Sequence, residues 1–295
     1  TEGDILIGGR SVRKADPVEL RRGIGYVIQE TGLFPHMTVA DNIAVVPRML
    51  GWSKRRVRDR TIELLELVNL TPATAIAKRY PAQLSGGQRQ RVGLARALAA
   101  DPPLMLMDEP FGALDHITRS YVQDEFLRVH REIGKTVIFV THDIDEAIKM
   151  GDRIAVLREG GVLAQYATPD ELLARPADDF VAGLVGADRG IKRLSLRTAA
   201  DIARPEPPPD ADRTPGQGQA PDHSRTPEQA RLPEVAPGAT LREALSVLLA
   251  AGAERALVRT AGGAAAGTLT LDDIRHAAEA GRTEAGAGAA AAEPA

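Results

Sequence analysis

The chain has no cysteine, which excludes disulfide scaffolds, thiolate metal sites and thiol nucleophiles, and suits a reducing compartment. No apolar run approaches the roughly 20 residues that a membrane-spanning helix needs, and no signal-peptide pattern precedes the first expected strand. An excess of one charge is lacking too. The 37 Lys and Arg face 40 Asp and Glu, a formal balance of −3 that gives no reason to expect a nucleic-acid partner. Aromatic residues amount to only 3 %, so the basic run Ser53–Arg60 has no stacking platform beyond Trp52. With Glu63 and Glu66 following at helical spacing, that run reads as a solvated helix face. What is present is 295 residues with 43 % apolar and 26 % charged side chains, enough for a large α/β domain and a smaller one.

The prolines are unevenly spread. Nine of the 20 lie between Pro205 and Pro237, among Asp, Gly, Gln and Arg with hardly a large apolar side chain. Such a stretch buries too little surface to offset its ordering entropy and reads as a flexible linker. The expected division is an α/β domain over 1–187, a Pro-rich linker over 188–232, a small α/β segment over 233–282 and a disordered Ala/Gly/Glu tail over 283–295. In the first domain, Asp4–Ile7, Ile24–Ile28, Leu104–Met107, Thr136–Val140 and Arg153–Leu157 read as strands. Arg56–Leu67, Gly87–Ala99, Ile117–Ile133 and Asp143–Lys149 read as helices, with an all-helical stretch from about Val39 to Ala99 interrupting the alternation. The unbroken apolar run Leu104-Met105-Leu106-Met107 predicts a parallel strand covered on both faces.

That run delivers Asp108 and Glu109 at its C-terminal end, where open α/β sheets bind ligands. In phosphoryl transfer one such acid holds Mg²⁺ and the next polarises the attacking water; the alternative is a solvated acidic turn. About 20 residues earlier, Leu84-Ser85-Gly86-Gly87-Gln88 opens a long helix. Paired glycines leave N–H groups open to an anion at a positive helix end, or form an ordinary Ser/Gly cap. Val140-Thr141-His142-Asp143 ends another strand, placing a phosphate-contacting or merely structural histidine at the same edge. Gln29 terminates Gly25-Tyr26-Val27-Ile28 and offers a neutral amide to Mg²⁺ or water, unless it is a surface loop residue. Asp115 either joins this group or simply caps the helix starting near Ile117.

Taken in order, Gln29, Leu84–Gln88, Leu104–Glu109, Ala113–Asp115 and His142 resemble the Q-loop, signature motif, Walker B with its glutamate, D-loop and switch histidine of ATP-binding-cassette (ABC) ATPases. The resemblance covers about 1–187 and implies a P-loop NTPase-like fold, a mainly parallel sheet with a helical subdomain. The segments Arg22–Gln29, Gly32–Met37 and Pro110–Asp115 are similar to those of importers of glycine betaine, choline, carnitine and proline betaine. The resemblance implies ATP and Mg²⁺ as cofactors. Asp108 and Gln29 would hold the metal, Glu109 would be the general base and His142 would orient the γ-phosphate. Ser85, Gly86, Gly87, Gln88 and Asp115 would contact ATP across a homodimer. It further implies a transmembrane permease docked near Phe34–Pro47, an extracytoplasmic binding protein acting indirectly, no nucleic acid, and a peripheral position on the cytoplasmic face of the plasma membrane.

One family motif has no counterpart in the sequence. No Gly-x-x-x-x-Gly-Lys-Ser/Thr string occurs, and Gly134-Lys135-Thr136 has Val129 where the first glycine belongs and joins a helix to a strand. By resemblance that loop would lie upstream of Thr1, so the chain is expected to be truncated before the Q-loop and inactive alone as an ATPase. The C-terminal helix–strand–turn–strand–helix order over Thr240–Ile274 resembles a single CBS motif, or a small packing appendage. Two other readings stay open: a non-catalytic regulatory nucleotide binder, and an ABC ATPase outside transport.

Overall fold

Residues 3–29, 32–204, 232–260, 262 and 265–279 are described by a computed structural model. They divide between Asp143 and Ile144 into two units, whereas the sequence expectation put the first boundary at 187. In the first unit a short antiparallel ribbon, β1 (Leu6–Ile7) and β2 (Arg10–Ser11), precedes α1 (Pro17–Arg22) and β3 (Ile24–Val27). Four helices follow in succession: α2 (Val39–Met49), α3 (Lys54–Leu67), α4 (Ala73–Ile76) and α5 (Gly86–Leu98). Then come β4 (Leu104–Asp108), α6 (His116–Ile133) and β5 (Thr136–Val140).

Strands β3, β4 and β5 lie side by side and all parallel, with Tyr26, Leu106 and Ile138 in one row. Their C-terminal ends therefore share one edge, and that edge carries the residues picked out by the motifs. Beneath the sheet, Val27 and Met107 meet Leu94 of α5 and Val122, Phe126 and Val129 of α6 around one apolar pocket. The other face is different. Tyr26, Ile138 and Val140 are about half exposed, at 51 %, 52 % and 54 %. The run Leu104–Met107, expected to be covered on both sides, is buried at Leu104, Met105 and Met107 but only half-buried at Leu106, because the helices pack from one side. Gly25 lets α5 come close: a Cβ there would meet the Ala97 carbonyl oxygen at 2.7 Å.

The helix ends explain the local boundaries. Thr38, Ser53, Ser85 and Asp115 each accept an N–H bond in the first turn of the helix that follows. α6 stops at Gly134, which adopts φ 59°. Lys135 beyond it binds Asp101 at 2.9 Å, so the Gly134-Lys135-Thr136 string sits at a helix-to-strand junction as its sequence context indicated. On the exposed face of α3, Arg55 and Arg58 pair with Asp59, Arg60 pairs with Glu63, and the Arg56 guanidinium lies 3.4 Å over the Trp52 ring.

The second unit begins with α7 (Ile144–Met150), an antiparallel pair β6 (Ile154–Arg158) and β7 (Val162–Ala167), and α8 (Pro169–Ala174) and α9 (Asp179–Val185). Ile148, Ile154, Leu172, Leu173, Val181 and Val185 form their core. Further along are α10 (Arg189–Leu194), α11 (Ala199–Ile202), β8 (Glu234–Val235), α12 (Leu241–Ala251), β9 (Arg255–Arg259), β10 (Ala265–Thr270) and α13 (Leu271–Glu279). β9 is central, antiparallel to β10 and parallel to β8. The linker expectation needs correcting at its N-terminal end. Residues 188–204 carry α10 and α11 and contribute Leu194 and Ala199 to the core built by Leu241, Leu248, Val258 and Leu269, and Arg204 exchanges both backbone hydrogen bonds with Thr268. The buried Arg193 binds Asp170 on α8 and the carbonyl of Ala278. The proline-rich residues 205–231 and the tail from 280 lie outside the described residues. Among the described residues no helix is long and apolar enough to cross a membrane.

Candidate functional site

Three of the singled-out side chains are bonded together. Glu109 follows the last residue of β4 and adopts φ 41°, a left-handed conformation that costs a residue with a Cβ roughly 1–3 kcal/mol. Its N–H bonds the Val140 carbonyl at 2.9 Å, and its own carbonyl accepts from Gly112 N–H at 3.1 Å, which hold the strained turn in place. The result is a carboxylate aimed between the neighbouring strand ends. Gln29 Nε2 donates to Oε2 at 2.9 Å, and His142 Nδ1 lies 2.8 Å from Oε1. The Glu109 side chain is 27 % exposed and that of His142 75 %, so solvent reaches the pair. Each oxygen retains a second lone pair able to accept from water. A Cβ on Gly112 would lie in ordinary contact with Oε2 at 3.6 Å and Gln29 Nε2 at 3.8 Å, so this residue lines the pair.

Asp108 ends β4 opposite Val140 and is exposed. Its carboxylate and the Gln29 Oε1 atom, left over after Nε2 binds Glu109, are hard oxygen donors of the kind Mg²⁺ takes alongside phosphate oxygens. Among the described residues no group of three or more His, Asp or Glu could hold a metal ion.

Ser85 and Gln88 bind each other. Gln88 N–H donates to Ser85 Oγ at 3.2 Å, and Ser85 N–H donates to Gln88 Oε1 at 3.0 Å, closing a capping box. Gly86 and Gly87 begin the helix, and a Cβ on Gly87 would meet the Thr118 methyl at 3.0 Å, so α5 crosses α6 closely there. Asp115 caps α6, accepting Thr118 N–H at 3.1 Å. Hydrogen bonds from the Thr118 side chain and then its N–H hold this carboxyl below the ordinary value of 3.8. Its stabilising contribution is therefore present above that value and lost as pH falls through the lower folded one. Asp115→Asn is expected to flatten the acid limb of thermal stability against pH; an unchanged acid limb removes this role for Asp115.

Two positioning side chains escaped the sequence reading. Asn42, fully buried on α2, accepts Phe34 N–H at 2.7 Å and donates to the carbonyls of Phe34, Met37 and Thr38, which fixes the turn ahead of α2. Arg96 on α5 donates to the Gly32 carbonyl at 2.6 Å, and burial pushes its guanidinium below the usual arginine pKa. The signal for both was a polar residue on an otherwise apolar helix stripe: Asn42 between Val39 and Ile43, Arg96 between Ala95 and Ala97.

The family model described as ABC transporter matches residues 1–112. The osmoprotectant import ATP-binding protein OsmV of Salmonella typhimurium is 56 % identical over 207 residues, 70 % of this chain and 54 % of that protein. The glycine betaine/carnitine/choline transport ATP-binding protein OpuCA of Bacillus subtilis is 52 % identical over 206 residues, 70 % of this chain and 52 % of that protein. The glycine betaine uptake system ATP-binding protein YehX of Escherichia coli is 44 % identical over 273 residues, 92 % of this chain and 81 % of its own length. The chain spans about half the length of the first two.

Proposed function

The chain belongs to the ABC transporter family, and from that premise we propose that it is the ATP-binding and ATP-hydrolysing subunit of an importer for quaternary amines. The observation that carries this reading is the bracket of Gln29, Glu109 and His142 at the shared edge of three parallel strands. Glycine betaine, choline, carnitine or proline betaine is the cargo class, supported by the relatives' names. Its partners are a membrane-spanning permease, a second copy of the cassette and, through the permease, an extracytoplasmic binding protein. That places it peripherally on the cytoplasmic face of the membrane.

Bound ATP with Mg²⁺ supplies the γ-phosphoryl group and neutralises its charge. Asp108 and Gln29 Oε1 would hold the metal. Glu109 takes the proton of the attacking water on its free lone pair while its bonds to Gln29 and His142 keep the carboxylate oriented. His142 gives Nδ1–H to Glu109, and only the protonated ring would have a second N–H, at Nε2, to donate to a phosphate oxygen. The N-terminus of α5, with Ser85, Gly86, Gly87 and Gln88, offers an anion site for the nucleotide of the opposing copy, and Asp115 lies at the head of α6 beside it. A phosphate-cradling Gly-x-x-x-x-Gly-Lys-Ser/Thr loop is needed in the same assembly. Residues 233–282 are read as a CBS-like regulatory appendage.

The test is reconstitution of a cassette carrying these residues and such a loop with its permease and binding protein in proteoliposomes. ATP-dependent uptake of labelled glycine betaine, choline or carnitine is expected. Hydrolysis without uptake of any quaternary amine, or no association with a permease, overturns the transport assignment.

A further inference from the structure

The basic run that opens α3 lines a groove. Trp52, just ahead of the Ser53 cap, and Asp101, in the turn between α5 and β4, both border an open space of about 570 Å³. Apart from Ser53 the rest of its lining is charged, and the two signs balance: Arg55, Arg56 and Arg60 against Asp59, Glu63 and Asp101. Some of these groups are fixed. Arg60 donates to Glu63 and, at 3.2 Å, to the Leu98 carbonyl. Lys135 binds Asp101 at 2.9 Å, and that bond holds the Asp101 carboxyl below its ordinary value of 3.8, so it is charged at neutral pH. Two pairs remain apart, Arg55 and Asp59 at 3.7 Å and Arg60 and Asp101 at 4.0 Å. At such distances charges attract without a hydrogen bond. Exposed pairs of this kind add little stability, so a ligand's charges can replace them at small cost. Trp52 already holds a cation, since the Arg56 guanidinium lies 3.4 Å from its ring centre.

We propose that this groove is a binding site for a small zwitterion that joins a quaternary ammonium to a carboxylate. The ammonium takes the Trp52 ring face that now holds Arg56, and the acidic side chains of the groove balance its charge. The displaced Arg56 joins Arg55 on the ligand's carboxylate, which a guanidinium grips with two parallel bonds. Ligands of one sign fit less well: a phosphate meets three carboxylates and a simple cation meets three guanidiniums. A quaternary ammonium has no N–H to donate, so an aromatic face suits it better than a hydrogen-bond acceptor. Glycine betaine has this chemistry, and the choice of ligand rests on the reading of quaternary amines as cargo. The groove then gives the cassette a second site for what the importer delivers, away from Glu109.

Trp52 is the one tryptophan of the chain, so its fluorescence reports the groove directly. Glycine betaine added to the full chain without nucleotide, at constant ionic strength, is expected to change the emission saturably, with half-saturation at roughly millimolar concentration. Choline, acetate and inorganic phosphate are expected to require at least roughly tenfold more. Arg55→Met and Glu63→Gln alter side chains that are 88 % and 62 % exposed, so the melting temperature is expected to hold while each weakens binding roughly fivefold. Isothermal titration calorimetry of Trp52→Leu, which is silent in fluorescence, is expected to show at least roughly tenfold weaker binding. No saturable response to glycine betaine below roughly 100 mM overturns the proposal. So does an equal response to choline, acetate or phosphate, or unchanged binding in all three variants. If the reconstituted importer carries no quaternary amine and the emission change persists, the transport reading fails and the site stands. Uptake without any emission change removes the site alone.

Discussion

Exchanging Glu109 for glutamine lowers kcat for ATP hydrolysis roughly a thousandfold in a cassette that carries these residues and a phosphate-binding loop, and leaves nucleotide affinity within about threefold. The side chains are isosteric. Glutamine's amide oxygen still accepts a bond from Gln29 or His142, so the strained turn at φ 41° and its backbone bonds to Val140 and Gly112 persist. What disappears is the negative charge and the basicity that receives the water's proton. Phosphate release in single turnover, measured beside equilibrium nucleotide binding, separates the two effects. A fall in kcat below tenfold places the base elsewhere. A parallel loss of affinity makes Glu109 a binding group rather than a base.

Replacing Asn42 by alanine destabilises the first unit by about 3 kcal/mol, lowering its melting temperature by roughly 6–12 °C. The amide is fully buried and satisfies one N–H and three carbonyls of the Phe34–Thr38 turn. Two of those carbonyls keep other partners: Phe34 accepts Met37 N–H and Thr38 accepts Asn42 N–H. The Phe34 N–H and the Met37 carbonyl lose theirs, and alanine adds a void where the amide stood. Calorimetry of the variant reads the cost. A shift smaller than about 2 °C means that water or another side chain replaces the amide, and the turn then owes little to Asn42.

Much of the site was legible because catalytic chemistry demands particular residue types at strand ends and helix starts. Asp108, Glu109 and His142 follow apolar runs whose strand character the alternation exposes, and the parallel pairing brings those ends to one edge. The all-helical stretch between β3 and β4 was legible for a similar reason, since its three longer helices, α2, α3 and α5, each carry a side-chain cap and a periodic apolar stripe. The segment 188–204 was not. Its helices have six and four residues, too short for periodicity to register, and their apolar residues acquire meaning only against the α12–β9–β10 core. Proline density begins only at Pro205; it marks where regular structure cannot continue and says nothing of how far packing extends before it.

The motif strings, the helix caps and the lack of a Gly-x-x-x-x-Gly-Lys-Ser/Thr string were determined by the sequence alone, because each is read from a short local window. Tertiary structure decided the rest. Glu109's two partners lie 80 and 33 residues away, and no local pattern couples them. Arg96 and Gly32 are 64 residues apart, and their bond exists only because α5 packs close against β3 at Gly25. The same packing leaves Tyr26, Ile138 and Val140 half exposed on the opposite face. An uninterrupted apolar run states that a strand prefers burial; which of its faces is covered depends on where the helices land.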